Sequence, residues 1–233
     1  MSFQDRHVVV TGGTGALGTA VVGALIEAGA TCHVPYRHED EAQRFPHRDS
    51  SRVSLVALGD LSDEAAVNNF YGGLSRLWAS IHIAGGFAFG PIEKSDKALL
   101  MGQIESNLVS ACLCSRAAVS AFRRAGHGGR IVNVAARPAL EPRSGASMTA
   151  YTASKAGLAA LTQALAEEVA KDGILVNAVA PSTMDTAANR KSMPKADFAA
   201  WPKVEEVAAT ILFLASPENA VTRGAIVPVY GRS

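Results

Sequence analysis

Thr11-Gly12-Gly13-Thr14-Gly15-Ala16-Leu17-Gly18 decides how the rest of this 233-residue chain is read. The segment follows a short β-branched run, His7 to Thr11, and opens a stretch that carries a helical pattern from about Gly15. Its glycines fit G-x-G-x-x-G through Gly13, Gly15 and Gly18, and T-G-x-x-G-x-x-G through Gly12, Gly15 and Gly18. A tight turn between strand and helix brings backbone N–H groups and the positive end of a helix against a pyrophosphate, and side chains would block that approach. The context points to a dinucleotide site in which Gly12, Thr14, Gly15, Leu17 and Gly18 hold the cofactor.

The loop lies in an uncharged run of 19 residues, Val8 to Ile26, that hydropathy alone would offer as a membrane span or leader. Five glycines, three threonines and the lack of a basic leader with a small-residue cleavage site argue for neither. Further along, Thr31 to Tyr36, Val53 to Leu58, Ser80 to Ala84, Arg130 to Ala135, Leu175 to Ala180 and Ala225 to Val229 read as strands. Helical patterns fall at about 62–75, 96–125, 150–171 and 203–215, with a weaker one near 39–44. Alternation of helices with nearly continuous apolar strands predicts an α/β fold: a doubly wound parallel sheet of about seven strands with helices on both faces. No linker, charge block or repeat divides the chain, so residues 1–233 read as one domain. Two aperiodic stretches, 136–149 and 182–202, follow strand ends, where the ligand crevice of an open parallel sheet lies; they read as substrate loops.

Composition narrows the partners. The chain is 48% hydrophobic and 18% charged, and 22 basic against 21 acidic side chains leave a formal charge of +1, so neither disorder nor non-specific nucleic-acid binding fits. Cys32, Cys112 and Cys114 form no disulfide framework, and no Cys/His spacing suggests a metal; they read as thiols of a reducing cytoplasm. Small molecules, rather than nucleic acid or membrane, are the expected ligands.

At the tip of the second strand, Tyr36-Arg37-His38 stands where an acid would bind the ribose of NAD. The guanidinium of Arg37 suits a 2′-phosphate, which favours NADP(H) over NAD(H), although Glu39 or Asp40 could reach the ribose after a bend. A second pair, Tyr151 and Lys155 in Tyr151-Thr152-Ala153-Ser154-Lys155, shares one helix face. Bringing a phenol from about 10 to about 7 needs roughly 4 kcal/mol. A cation near 4 Å at an effective dielectric of about 20 supplies that order of energy. Tyr151 is thus a candidate acid/base, with Lys155 as the group that tunes it.

Together the glycine loop and the Tyr-x-x-x-Lys pair resemble the short-chain dehydrogenase/reductase family over essentially the whole chain. The resemblance implies that Asp60-Leu61 contacts adenine, that Ala84-Gly85-Gly86 lies beside the cofactor ribose, and that Asn107 anchors a water on the proton path toward Lys155. It also implies that the segment Asn177 to Thr186, including Pro181, Met184 and Thr186, holds the nicotinamide amide. A homodimer or homotetramer is implied as well, consistent with helices at 96–125 and 150–171 that are apolar on more than one face.

The departures carry information of their own. Most members of the family have two asparagines where His82-Ile83 stand, and a catalytic serine where Ala136 follows Ala135. The quinonoid dihydropteridine reductase branch similarly has alanine there, and the string Asp185 to Phe198, followed by Trp201, resembles that branch closely. The expected activity is hydride transfer from a nicotinamide to a small conjugated or quinonoid acceptor, with Phe87, Phe89, Met193, Phe198 and Trp201 as flat apolar walls. The alternatives are a general carbonyl or 3-oxoacyl reductase, with Ser144, Ser147 or Thr149 supplying the missing hydroxyl, and a cofactor-binding sensor without turnover.

Overall fold

In the computed structural model, which describes residues 1–233, seven strands pair in parallel: β1 (His7–Thr11), β2 (Thr31–Tyr36), β3 (Val53–Ala57), β4 (Leu77–His82), β5 (Gly129–Val134), β6 (Ile174–Pro181) and β7 (Ile226–Val229). Their spatial order is β3-β2-β1-β4-β5-β6-β7, so the chain reverses direction across the sheet between β1 and β4, where an open sheet leaves its ligand crevice. Period-two alternation divides the core: Val8 and Val10 face α1 (Ala16–Glu27) and α9 (Val204–Ala215), whereas Val9 faces the opposite layer with Tyr71, Phe122 and Val176. That second layer consists of α3 (Glu64–Gly72), α5 (Ser110–Ala125) and α7 (Thr149–Glu168). Each fully buried valine or isoleucine contributes about 1.5–3 kcal/mol of transfer free energy, and both faces of β1, β5 and β6 supply such residues.

Several elements depart from their sequence-based boundaries. The fourth strand runs Leu77–His82 rather than Ser80 to Ala84, because Ile83 and Ala84 leave the ladder to donate their N–H groups to Thr11 O, at 3.1 and 3.2 Å. This peeling aims the strand end at the glycine loop. The helical stretch 96–125 is three pieces: α4 (Lys97–Ile104), a widened π-helical turn at Glu105–Val109, and α5. Asp96 caps α4 by accepting from Leu99 N at 2.8 Å, and Gly126 ends α5 in the left-handed region at φ 72°. The last of the long helices stops at Glu168 and passes through a 3₁₀ turn to Gly173.

Neither aperiodic stretch is a bare loop. Residues 136–149 hold the single turn α6 (Arg137–Leu140), begun by Pro138 where no N–H is needed, and a 3₁₀ turn at Pro142–Gly145. Residues 182–202 hold α8 (Ala187–Ser192), capped by Thr186 Oγ1, which accepts from Asn189 N at 3.2 Å. The weaker pattern near 39–44 is α2 (Glu39–Arg44). No helix is long and apolar enough to cross a membrane.

Candidate active site

The glycine loop is shaped by clashes that only glycine avoids. Gly12 has φ 66°, and a Cβ there would lie 2.6 Å from Ala84 N. A Cβ on Gly18 would run into the Gly12 carbonyl, so the first turn of α1 can approach β1 only with glycine at this position. Gly15 serves as the N-cap of α1, and no side chain caps that helix. Its orphan N–H groups border a cleft of about 350 Å³ lined by Gly12, Thr14, Gly15, Leu17, Gly18, Arg37, Asp60, Leu61, Ala84 and Gly85. An uncapped helix end over a glycine floor is the cradle a pyrophosphate fits, so the residues present suit a dinucleotide.

At the outer end of the cleft, Arg37 is not free. Its guanidinium lies 3.7 Å from Asp60 Oδ2, with both side chains more than half exposed. Asp60 also accepts from the backbone and hydroxyl of Ser62, each at 2.8 Å, and these bonds, with the lesser influence of Arg37, hold its carboxyl below the usual range. Neither Glu39 nor Asp40, the alternative partners for the ribose, lines the cleft: Glu39 accepts from the Tyr36 hydroxyl at 3.0 Å, and Asp40 pairs with Arg44. Besides Asp60, the acid that lines the cleft is Glu41, which the sequence reading missed; its Oε2 accepts from Thr14 Oγ1 at 3.4 Å. Its signal was its place in the first turn of α2, facing back over the glycine loop.

At the inner end, α7 carries Tyr151 and Lys155 on one face, and Lys155 is only 5% exposed. Its Nζ donates to Val134 O at 2.7 Å and lies 6.0 Å from the centroid of the Tyr151 ring. The expected tuning of the phenol is therefore corrected. Burial pushes Tyr151 up to about 12, and burial brings Lys155 down to about 8. The ammonium sits beside the ring and is drawn to a carbonyl, so it does not offset the loss of water around the phenol.

Asn107 is held by its own contacts. The π-helical turn sets its side chain against Gly86, whose N–H it accepts at 3.1 Å and whose carbonyl receives its Nδ2 at 3.0 Å; a further bond runs to Gln103 at 3.3 Å. The amide is a clamp on Gly86. A Cβ on Gly85 would press on the Asn107 amide oxygen and lie 3.4 Å from Lys155 Nζ, so these three residues converge.

The serine position is filled by Ala136, which is buried. No nearby hydroxyl bonds to the Tyr151 phenol: Ser144 donates to Glu141 O at 2.8 Å, and Ser147 and Thr149 are exposed. Of the five apolar candidates, Phe87 meets Tyr151 edge to face, with centroids 5.1 Å apart. Phe89 and Met193 are exposed. Phe198 instead packs on Trp201 at 5.1 Å and lies under Arg190, which pairs with Asp185, so those two rings brace the 182–202 segment. Pro181 ends β6 in the buried layer, Met184 packs against the main core, and Thr186 is occupied as the cap of α8.

Beneath the site runs a buried polar chain that sequence reading registered only as the odd His82. Tyr71 Oη and Ser80 Oγ lie 2.7 Å apart, Ser80 Oγ and His82 Nε2 2.8 Å, His82 Nδ1 and Asn133 Oδ1 2.8 Å, and Asn133 Nδ2 donates to Thr162 Oγ1 at 2.8 Å. Thr162 closes the series on Leu158 O at 2.8 Å. Because Asn133 turns its amide nitrogen to Thr162, its oxygen accepts from Nδ1–H of His82, and every link then runs in one direction.

Comparison with known proteins agrees with this geometry. A profile of the short chain dehydrogenase family matches residues 6–197. The cis-4-hydroxycyclohexanecarboxylate dehydrogenase of Sinomonas cyclohexanicum is 34% identical across 99% of this chain and 97% of its own length. The galactitol 2-dehydrogenase of Rhizobium johnstonii is 33% identical, covering 98% and 97%. Among solved structures, a putative gluconate dehydrogenase from Agrobacterium tumefaciens superimposes with a TM-score of 0.89 at 26% identity, over 99% of this chain and 96% of that one. ElxO with NADP bound shares the Rossmann-like fold, with a TM-score of 0.87 at 24% identity over 98% of both chains. A cradle for a pyrophosphate, a Tyr and Lys on one helix and a match over most of the sequence lead to one assignment: the chain belongs to the short-chain dehydrogenase family and is an NAD(P)-dependent oxidoreductase.

Proposed function

We propose that this oxidoreductase reduces a small conjugated or quinonoid acceptor, as the dihydropteridine reductase-like string from Asp185 to Trp201 suggests, with Tyr151 as proton donor. The observation that carries the reading is the surround of the phenol. Burial holds Tyr151 up to about 12, so it keeps its proton throughout the neutral range and is at rest a donor. A ketone needs a hydroxyl to polarise its oxygen, and Ala136 supplies none; a delocalised acceptor spreads the arriving charge and relies less on one such donor. The bound nicotinamide cofactor supplies the hydride. The chain's own residues do the rest: the glycine loop and the first turn of α1 hold the phosphates, Asn107 fixes Gly86 at the floor, and Lys155 places a cation beside the reacting end. Phe87 covers the phenol and limits water there.

NADP(H) over NAD(H) rests on Arg37, which would exchange its exposed contact with Asp60 for a 2′-phosphate. A dimer or tetramer rests on α4, none of whose residues is buried and whose Leu100 and Met101 are each 40% exposed; light scattering at 24 kDa alone would reject it.

The relatives' names favour a second reading, oxidation of a ring or polyol alcohol. NADPH and NADH oxidation with quinonoid dihydropterin, quinones and 3-oxoacyl esters, run beside NAD(P)+ reduction with cyclic hydroxy acids, separates the two. Under the first reading the quinonoid acceptors give the highest kcat/KM, and Tyr151→Phe lowers kcat by at least about a hundredfold with cofactor affinity unchanged. Turnover confined to the alcohols, or undiminished in Tyr151→Phe, would overturn it.

A further inference from the structure

At the amino ends of β1 and β4, on the far side of the sheet from the cofactor cleft, a second cavity of about 440 Å³ opens beside the end of α5. Arg6, immediately before β1, Arg76, immediately before β4, and His127, just beyond α5, stand on its walls with Trp78 and Ser75. Strands of five and six residues at about 3.3 Å per residue put it some 15–20 Å from the glycine loop.

The charge at this cavity is unbalanced. Arg44, Arg116, Arg123, Arg190 and Arg223 each meet a carboxylate, whereas the guanidinium groups of Arg6 and Arg76 have none within ion-pair distance and donate no hydrogen bond. Arg6 is instead stacked on the indole of Trp78, its guanidinium carbon 3.6 Å from the ring centroid, and Arg130 approaches the same indole at 5.0 Å. Arg130 is tied to the carbonyls of Gly129 and Asn219 at 3.0 and 2.8 Å, while its Nε is buried without a partner. Arg6 and Arg130 thus share one indole, Arg76 stands on the cavity wall with Arg6, and the charge of Arg6 adds to burial in lowering the pKa of Arg130. Asp5 is the single acid on the cavity wall, and its carboxylate already accepts from Gln4 at 3.2 Å. Folding brings these cations together and leaves the neutralising charge to come from outside.

We propose that this cavity is a second binding site, for a small oxyanion with two or more negative charges, a phosphate monoester or pyrophosphate, gripped between Arg6 and Arg76. Guanidinium forks match phosphate oxygens, and the stacking on Trp78 fixes the Arg6 fork before the ligand arrives, so less side-chain freedom is lost on binding.

The test titrates pyrophosphate calorimetrically into the protein saturated with NADPH, which closes the cofactor cleft to the same anion. One site per chain is expected, weakening as salt rises. Arg76→Gln, at an exposed position, should raise Kd at least fivefold, and Arg6→Gln combined with Arg76→Gln should abolish binding, with thermal unfolding of the anion-free proteins unchanged within 3 °C. Arg6→Lys, which keeps the charge and loses the fork, should fall between wild type and Arg6→Gln. Titrating inorganic phosphate and a phosphate monoester in parallel distinguishes a preference for the organic ligand from simple charge. No binding in the saturated wild type, or equal binding by wild type and the double variant, would overturn the proposal, the second result marking an adventitious ion only.

Discussion

Lys155 and His82 are sealed into this fold to nearly the same degree, at 5% and 2% exposure, and burial drives both toward their neutral forms, Lys155 to about 8 and His82 to about 4. They differ in what their hydrogens do. Lys155 gives one N–H to Val134 O and stands against Gly85, a residue of the cofactor cleft, with two further donors to offer. His82 has both ring nitrogens engaged, by Ser80 and Asn133, in a chain enclosed between β4, β5 and the helices above them. A perturbed pKa alone therefore does not mark the reactive group. Incomplete hydrogen bonding beside a cavity does, and the same desolvation beside satisfied partners makes architecture.

Breaking the comparison on the Lys155 side should have the largest effect. Lys155→Met keeps the length of the stem and removes the charge, and activity should drop by at least about a hundredfold, with near-wild-type circular dichroism. Stability should move the other way. The folded-state pKa of Lys155 lies below its ordinary 10.5, so between about 8 and 10.5 the native protein has lost a proton that the unfolded chain keeps. Wild-type stability accordingly rises with pH in that window, by about 2–3 kcal/mol up to pH 10. Above pH 10 the raised pKa of Tyr151 works in the opposite direction, because the folded state then holds the proton the unfolded state loses. Urea melts at pH 7, 8, 9, 10 and 11 check both points, and a rise between pH 8 and 10 that persists in Lys155→Met would assign it elsewhere.

His82 should answer on the acid side and leave catalysis nearly alone. Its folded pKa is depressed from 6.5 to about 4, so the stability it contributes is complete above 6.5 and is lost as pH falls toward 4. That loss is about 3 kcal/mol. His82→Asn, which restores the residue most of the family has here, should flatten the acid limb and change kcat less than threefold. His82→Ala strands Ser80 and Asn133 and should cost about 3 kcal/mol at pH 7. A His82→Asn enzyme that has lost most of its kcat would move this chain from architecture into the mechanism.

What could be read in the sequence follows the same division. The glycine loop was legible because its geometry is enforced by backbone clashes at Gly12 and Gly18 that no other residue avoids, and the strands because both faces of the sheet demand apolar side chains. Helical spacing also placed Tyr151 and Lys155 on one face. Their electrostatics were not legible, since the pKa of each is shifted by burial, which depends on how the helix packs against the rest of the fold. Nor were the turns inside 136–149 and 182–202, where single-turn helices are too short to leave a period and are started by Pro138 and Thr186. The fates of Phe87 and Phe198 show the limit clearly: both are aromatic residues in loops, yet one faces the phenol and the other lies under Arg190.

Glu41 sharpens the comparison at the smallest scale, because it is a cleft residue whose one hydrogen bond, from Thr14 at 3.4 Å, is long. At the rim of the cleft one cation, Arg37, stands with two carboxylates, Glu41 and Asp60, so under the proposed NADP(H) reading the carboxylates oppose the attraction of Arg37 for a 2′-phosphate. Glu41→Gln removes a repulsion without removing a donor that the phosphate would use. In a half-exposed, water-rich site such a repulsion is worth on the order of 1 kcal/mol, so the ratio of kcat/KM for NADPH to that for NADH should rise by about threefold to tenfold. The gain should come from KM, since the adenosine end lies far from the reacting carbon. It should shrink as ionic strength rises, whereas Arg37→Gln should shift the ratio the opposite way. An unchanged ratio in Glu41→Gln, with Arg37→Gln still effective, would mean that this carboxylate turns away when the cofactor enters, leaving Arg37 alone to choose.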